Sequence, residues 1–414
     1  MRISNLGGRF PLLAETHATE SAVGLEGPAA NGAGHHLAWR RIVASGLFYS
    51  GALRIMQSLS RRFELHVGGP RAQISLRPVR QSKSVILCYH RVGTGGVPLF
   101  SELPPDIFAA QMLFLRRHYR MVSLDQLCDE LENPRAAGQS VAITFDDGYA
   151  DLFHHAFPVL EEHKIPATIF LPVASIEAAL PPWYDRVFLA LKVFTGDRFD
   201  IVLDRPRSFH LPSLAARIWA ASKIIEFLRS VPEFRRKEYC AHIERHVALP
   251  DEELAGRMLT WEQVRAMSRA GIDFGSHSMT HPVVSQLNPE EMIHEVADSK
   301  KLLEERLGKP IRHFAFPFGK QADCSSTACQ VLASCGYRSA ATTIDGFNSA
   351  GQDLYGLHRV SFGDEWFLPM FAFQLGRLFL AEAPDLRSPL NWLRHSDVTR
   401  PEIAGKQKVR AGDA

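Results

Sequence analysis

Four apolar runs of strand length in the middle of the sequence each give way to a residue with chemistry to offer. Ser84 to Tyr89 ends in His90, Val141-Ala142-Ile143 runs into Asp146-Asp147, Ile272 to Gly275 leads into His277, and His313 to Phe316 meets Pro317-Phe318. Helix signals stand between them. Asp106 precedes Phe108, Met112 and Leu115 on one face, and capping boxes begin at Ser123 and Thr260. A further helix falls within Ala150 to His163, after which Ala167 to Leu171 reads as a strand. Asn288-Pro289-Glu290-Glu291 opens a helix carrying Met292, Val296, Leu303 and Leu307 and closing at Gly308. Arg338 to Thr343 and Gly356 to Phe362 are later strand candidates. Strand and helix thus alternate with no GxGxxG or GxxxxGK[ST] loop, which favours a barrel or distorted barrel over a nucleotide-binding open sheet. A (β/α) barrel collects the carboxyl ends of its strands on one face, so these polar residues are expected to converge.

The barrel is expected over residues 84–383, interrupted at about 174–259. That stretch holds Pro181-Pro182-Trp183-Tyr184-Asp185 and then a charge-studded, helical segment, Leu214 to Val247, with no strand-like run of comparable quality. It reads as a helical insertion. Residues 1–80 read as a partly disordered N-terminal extension with an amphipathic helix at about 37–63, and 384–414 as a mobile tail. The helix has two open readings: packing on its own domain, or lying on a membrane surface with Leu47, Phe48, Leu53 and Met56 inward. Arg54 within it and Arg40, Arg41, Arg61 and Arg62 around it exclude a span. With no secretory leader seen either, a cytoplasmic location, or one peripheral to the cytoplasmic membrane face, is expected.

Composition excludes some partners. The 47 basic and 45 acidic residues give a formal charge of +2, so nothing favours nucleic acid. Six scattered cysteines without a CxxC pair suggest neither a zinc ribbon nor a disulfide framework. Oligomeric state is not readable.

Two adjacent carboxylates at the rim of a core repel one another unless a cation or hydrogen bonds offset the repulsion. Alone, Asp146-Asp147-Gly148 reads equally as an exposed turn. His277 and His281, flanked by Gly275 and Pro282, belong to a loop that wraps back on itself, and with one aspartate they make a three-ligand set that leaves positions open.

Thr144-Phe145-Asp146-Asp147-Gly148-Tyr149, Gly275-Ser276-His277-Ser278-Met279-Thr280-His281-Pro282 and Phe314-Ala315-Phe316-Pro317-Phe318-Gly319, in this order, resemble the motifs of the polysaccharide deacetylases, the NodB-homology family. Cys88-Tyr89-His90-Arg91-Val92 is similar to the branch whose first strand ends in Tyr-His. The resemblance covers roughly residues 84 to 362 without the insertion. It implies a distorted (β/α) barrel, to which the residues read above add the helical insertion and the N-terminal helical extension, and metal-dependent hydrolysis of an N-acyl group, usually N-acetyl on an amino sugar of a polysaccharide, oligosaccharide or lipid-linked glycan. Asp147, His277 and His281 would hold a divalent ion, zinc first with cobalt, nickel or iron as substitutes. Asp146 would be the general base, and the Phe318 N–H the oxyanion donor. A deformylase or other amide hydrolase, or a non-catalytic glycan-binding protein, are the alternatives.

Two positions depart from the family pattern. Ala315 stands where many members carry an arginine held against the base, and Arg359 could supply that charge. The late histidine that protonates the leaving amine has two candidates, His358 by sequence and His90 by strand-end position. His358 and Arg359 cannot both point into the barrel, because strand residues alternate faces. Arg359 is therefore expected inward, with His90 near the site. Trp183, Tyr184 and Asp185 read either as part of a sugar-binding wall or as packing for the insertion.

Overall fold

The structure is a computed structural model, and it describes residues 83–94, 102–133, 139–361 and 367–380, the backbone of 63–68 and 73–78, and four isolated residues of the N-terminal segment. The central sheet follows from the apolar runs. β3 (Lys83–Tyr89), β5 (Ser140–Phe145), β6 (Ala167–Leu171), β9 (Asp273–Ser276), β10 (His313–Ala315) and β11 (Ser339–Ala341) lie side by side in parallel, and β4 (Arg120–Met121) adds to the start of β5. At the other edge of β3, β12 (Asn348–Ser349) pairs antiparallel and β13 (Val360–Ser361) parallel. The chain just before β13 bridges back to β11 through Ala341 and Leu357, so the sheet curls round on itself as a distorted (β/α) barrel.

Alternation along the strands separates two environments. Val85, Leu87, Val141, Ile143, Ile169 and Phe314 join the outer core beneath the helices, which include α1 (Pro105–His118) and the joined pair α9 (Pro289–Ile293) and α10 (Ser299–Leu307). Ile86, Ala142, Phe170, Ala315, Ala341 and Leu357 form a separate cluster inside the barrel, closed below by Leu124, Leu127 and Leu131 of α2 (Leu124–Glu132). The interior is filled chiefly by Phe170. A Cβ on Gly275 would lie 2.5 Å from that ring and 2.8 Å from the His313 carbonyl oxygen.

Between β6 and β9 the insertion has a core of its own. It comprises α4 (Val173–Ala178), α5 (Trp183–Val193), α6 (Leu214–Arg229) and α7 (Glu233–Val247), before α8 (Trp261–Arg269) returns the chain to the barrel. It also contains a hairpin, β7 (Arg198–Val202) with β8 (Pro206–His210), that the sequence reading did not anticipate. The reason is visible in its alternation: Phe199 and Ile201 face the insertion's core while Arg198, Asp200 and Val202 are exposed, so no continuous apolar run marks it. A second unforeseen hairpin, β1 (Phe63–Gly68) with β2 (Gln73–Pro78), takes Phe63, placed by the sequence reading at the end of a helix. Of the predicted helix at 37–63, Ala44, Ser45, Phe48 and Ala52 are helical, and Phe48 meets Phe114 at 6.3 Å. Phe48, one of the four residues of the proposed membrane face, thus meets the protein's own core, whereas Leu47, Leu53 and Met56, the rest of 37–62, and the tail from 384 lie outside the described residues. Among the described residues no helix is long and apolar enough to cross a membrane.

Gly275→Ala is expected to lower stability by about 1–3 kcal/mol through overpacking against Phe170. Denaturant unfolding measures this, and a midpoint equal to wild type would show that the interior has room to spare.

Candidate active site

The carboxyl ends of the strands carry an unusual concentration of backbone strain. Among the described residues, seven other than glycine have positive φ; three of them, Lys164, Ala179 and Ala248, close helices, and the other four are Asp147 at 70°, Ser278 at 65°, His281 at 59° and Phe318 at 61°. Such conformations cost free energy and persist where surrounding structure over-determines them.

The turn after β5 starts from Asp146, whose N–H donates to the Tyr89 carbonyl at 2.9 Å. Asp147 and Gly148 both adopt left-handed conformations, so the chain reverses at once and the two carboxylates diverge. The loop after β9 is not helical. His277 N–H donates to the Leu171 carbonyl, and the Ser278 hydroxyl accepts from His281 N–H at 3.0 Å. Glu295, in the wide turn between α9 and α10, accepts from the N–H groups of Met279 and Thr280 and from the Thr280 hydroxyl, at 2.8, 2.8 and 2.6 Å. One buried carboxylate therefore staples the loop, a role the sequence reading missed because Glu295 sits in an ordinary helical pattern.

These two loops bring Asp147, His277 and His281 together, all buried. Nε2 of His277 and of His281 lie 3.6 and 3.4 Å from Asp147 Oδ1, which is buried and has no hydrogen-bond partner among the described residues. His277 Nδ1 pairs with the Ala315 carbonyl at 2.7 Å, which fixes the ring with Nε2 turned to the cluster. Burial pushes its pKa down to about 4, and His281 nearby adds to this, so the imidazole is neutral with a lone pair available. Two imidazole nitrogens and a carboxylate oxygen fit a divalent cation by donor chemistry.

Asp146 has a different partner. Arg359, fully buried, spans the barrel interior and donates through both terminal nitrogens to the two Asp146 oxygens, each at 2.7 Å, while its Nε donates to the Thr342 carbonyl. Ala315, Ala142 and Ala341 are small enough to leave the interior that the guanidinium crosses, over the Phe170 ring at 5.7 Å. Burial raises the Asp146 pKa, but the Arg359 charge and the neighbouring His277 outweigh it and hold the carboxyl well below the usual carboxylate range. Cys88 Sγ also lies 3.5 Å from Asp146 Oδ2, and a His90 ring nitrogen lies within 4.8 Å of both side chains.

His358 is not brought to this cluster. Its backbone N–H and carbonyl are both held by Asn348, at 2.9 Å each, and its ring borders Gly346. Phe318 lies at the rim, its ring 4.9 Å from that of His281 and covered by the Arg229 guanidinium at 4.1 Å. Trp183, Tyr184 and Asp185 do not form an open wall. They are buried behind the cluster, and Asp185 accepts from the Tyr149 hydroxyl at 2.7 Å.

Known proteins share this pattern. The family model described as polysaccharide deacetylase matches residues 133–221 and 228–340. A curated relative, the putative polysaccharide deacetylase YxkH of Bacillus subtilis, is 24% identical over 287 residues, covering 69% of this chain and 73% of that protein. Among solved structures, the Streptococcus pyogenes deacetylase PplD in complex with acetate is 20% identical with a TM-score of 0.49, covering 72% of this chain and 99% of that one. IcaB from Ammonifex degensii is 23% identical with a TM-score of 0.47, covering 72% and 97%. The chain belongs to the polysaccharide deacetylase (NodB-homology) family. It is accordingly a hydrolase of carbon–nitrogen amide bonds whose substrate class is carbohydrate.

Arg359→Leu is expected to destabilise the protein by about 3–5 kcal/mol, because it leaves the Asp146 carboxylate buried without its counter-charge. Equilibrium denaturation checks this; a loss under 1 kcal/mol, on the order of a surface pair, would mean that Asp146 is held by other groups.

Proposed function

We propose that the protein removes the N-acetyl group from an amino sugar of a glycan, using a divalent ion held by Asp147, His277 and His281, with zinc as the first choice. The observation that carries this reading is the opposite settings of two adjacent aspartates: Asp146 clamped by Arg359, Asp147 facing the imidazoles of His277 and His281. A divalent cation in that position supplies Lewis acidity to the acyl carbonyl and acidifies water towards a pKa of ~7.

Asp146 is the base that takes a proton from the attacking water as its oxygen adds to the acyl carbon. The guanidinium keeps this carboxylate ionised and fixed in direction, and the resulting weak basicity matches a water that is already acidified. Negative charge gathers on the acyl oxygen, where the main-chain N–H of Phe318 is the donor supporting it. Only the backbone of Phe318 is needed, so phenylalanine serves as well as tyrosine. The carbon–nitrogen bond then breaks, and the departing amine takes its proton from His90, which stands beside Asp146 at the end of β3. Acetate and the free amino sugar leave.

The purified protein, supplied with zinc, is expected to release acetate from N-acetylglucosamine oligomers, and Asp146→Asn to lower kcat by about 10²–10⁴-fold. Chromatographic assay of acetate and free amine measures both. An Asn variant with wild-type turnover would remove Asp146 from the mechanism, and a zinc-loaded wild type that releases neither acetate nor formate from a panel of amino sugars would favour a binding protein.

A further inference from the structure

Three consecutive residues of the insertion, Trp183, Tyr184 and Asp185, make the first turn of α5, and the reaction described above assigns them nothing. They are 7%, 2% and 4% exposed, although each carries a polar group. Each also touches a different part of the structure that presents Asp147 and His281. Trp183 Nε1–H donates to the His281 carbonyl at 3.1 Å. The Tyr184 ring meets the His281 ring edge-on at 4.9 Å, and its hydroxyl faces Asp147 on one side and the Tyr149 hydroxyl on the other. Asp185 in turn accepts from Tyr149, two residues beyond Asp147. Asp147, Tyr184, Tyr149 and Asp185 thus form a buried line of polar groups that ties α5 to the turn after β5.

His281 makes this line consequential. An imidazole that binds a metal ordinarily has its second nitrogen fixed by a hydrogen bond, and His277 has one to Ala315. Among the described residues, His281 Nδ1 has none. Three rings pack edge-on against that imidazole instead, His277 at 4.7 Å and Tyr184 and Phe318 at 4.9 Å each, and only Tyr184 comes from the insertion.

We propose that Tyr184 is a positioning residue for the cation site: its ring sets the direction of His281, its buried hydroxyl stands towards Asp147, and Trp183 and Asp185 anchor it through the His281 backbone and Tyr149. This rests on the metal reading of the preceding subsection. It follows that the insertion is part of the metal site, and that loosening its first turn loosens the ion.

The test uses the full chain as wild type, Tyr184→Phe, Tyr184→Leu and, as a control in the insertion's own core, Ile224→Val. Zinc affinity is measured by competition with a chromophoric chelator, the cobalt-substituted proteins are compared by visible absorption, and the metal-free proteins are melted. Tyr184→Phe, which keeps the ring, is expected to weaken zinc binding about 10-fold, and Tyr184→Leu about 100-fold with altered cobalt bands, the range found for outer-sphere partners. Ile224→Val is expected to leave affinity and spectrum unchanged. Wild-type affinity in both Tyr184 variants overturns the inference while leaving the metal reading intact, as does an equal loss in Ile224→Val. A wild type that takes up neither zinc nor cobalt overturns both. If Tyr184→Leu does not fold, Tyr184→Phe decides alone.

Discussion

The two-point pairing of Arg359 with Asp146 is the interaction on which the rest of the site depends. Two carboxylates on successive residues, each no more than 2% exposed, would ordinarily resist ionising together. The guanidinium removes Asp146 from that competition by neutralising it inside the barrel, and the left-handed turn at Asp147 sends the second carboxylate elsewhere. What remains is one buried aspartate oxygen beside two imidazole nitrogens, a donor set that suits a bound cation. On the proposed reading the two charges are answered by two different cations, one built into the chain and one bound.

The arginine reaches its partner because of residues that do nothing chemical. Ala142, Ala315 and Ala341 are small where they face the interior, and Gly275 makes room for Phe170 beneath the guanidinium. Arginine arrives from the residue just before β13, on the far side of β11 from the strand that carries Ala315, and the alanine at 315 both lacks that charge and leaves space for its replacement. Support on the outer side of the site is equally specific. Glu295 holds the histidine loop from α9 and α10, and the insertion closes over His281 from the other direction, so strain at Asp147, Ser278, His281 and Phe318 is maintained from several elements at once.

Much of this was legible in sequence because barrel topology turns a linear pattern into a place: strand-end residues meet whatever their separation along the chain. His90, Asp146, Asp147, His277 and His281 are such residues, and they do come together. The two-residue period of a strand also states that His358 and Arg359 face opposite ways, and the space left by Ala315 decides which faces in. Other features had no local signature. In the hairpins β1–β2 and β7–β8 polar residues interrupt the apolar ones along each strand, so neither presents an apolar run. Tyr149, Tyr184 and Asp185 are joined only by tertiary contact between a turn and an insertion. Trp183 and Tyr184, whose flat rings suggested a sugar wall, are instead covered by α7 and Phe318, which sequence alone could not reveal.

The central claim, that adjacent aspartates are divided between a built-in and a bound cation, is tested most directly by metal content. Asp146→Asn and Asp147→Asn, dialysed against the same buffered zinc and assayed by elemental analysis, should differ: the first retains the ion and the second loses it. Equal retention or equal loss in the two variants would contradict the division.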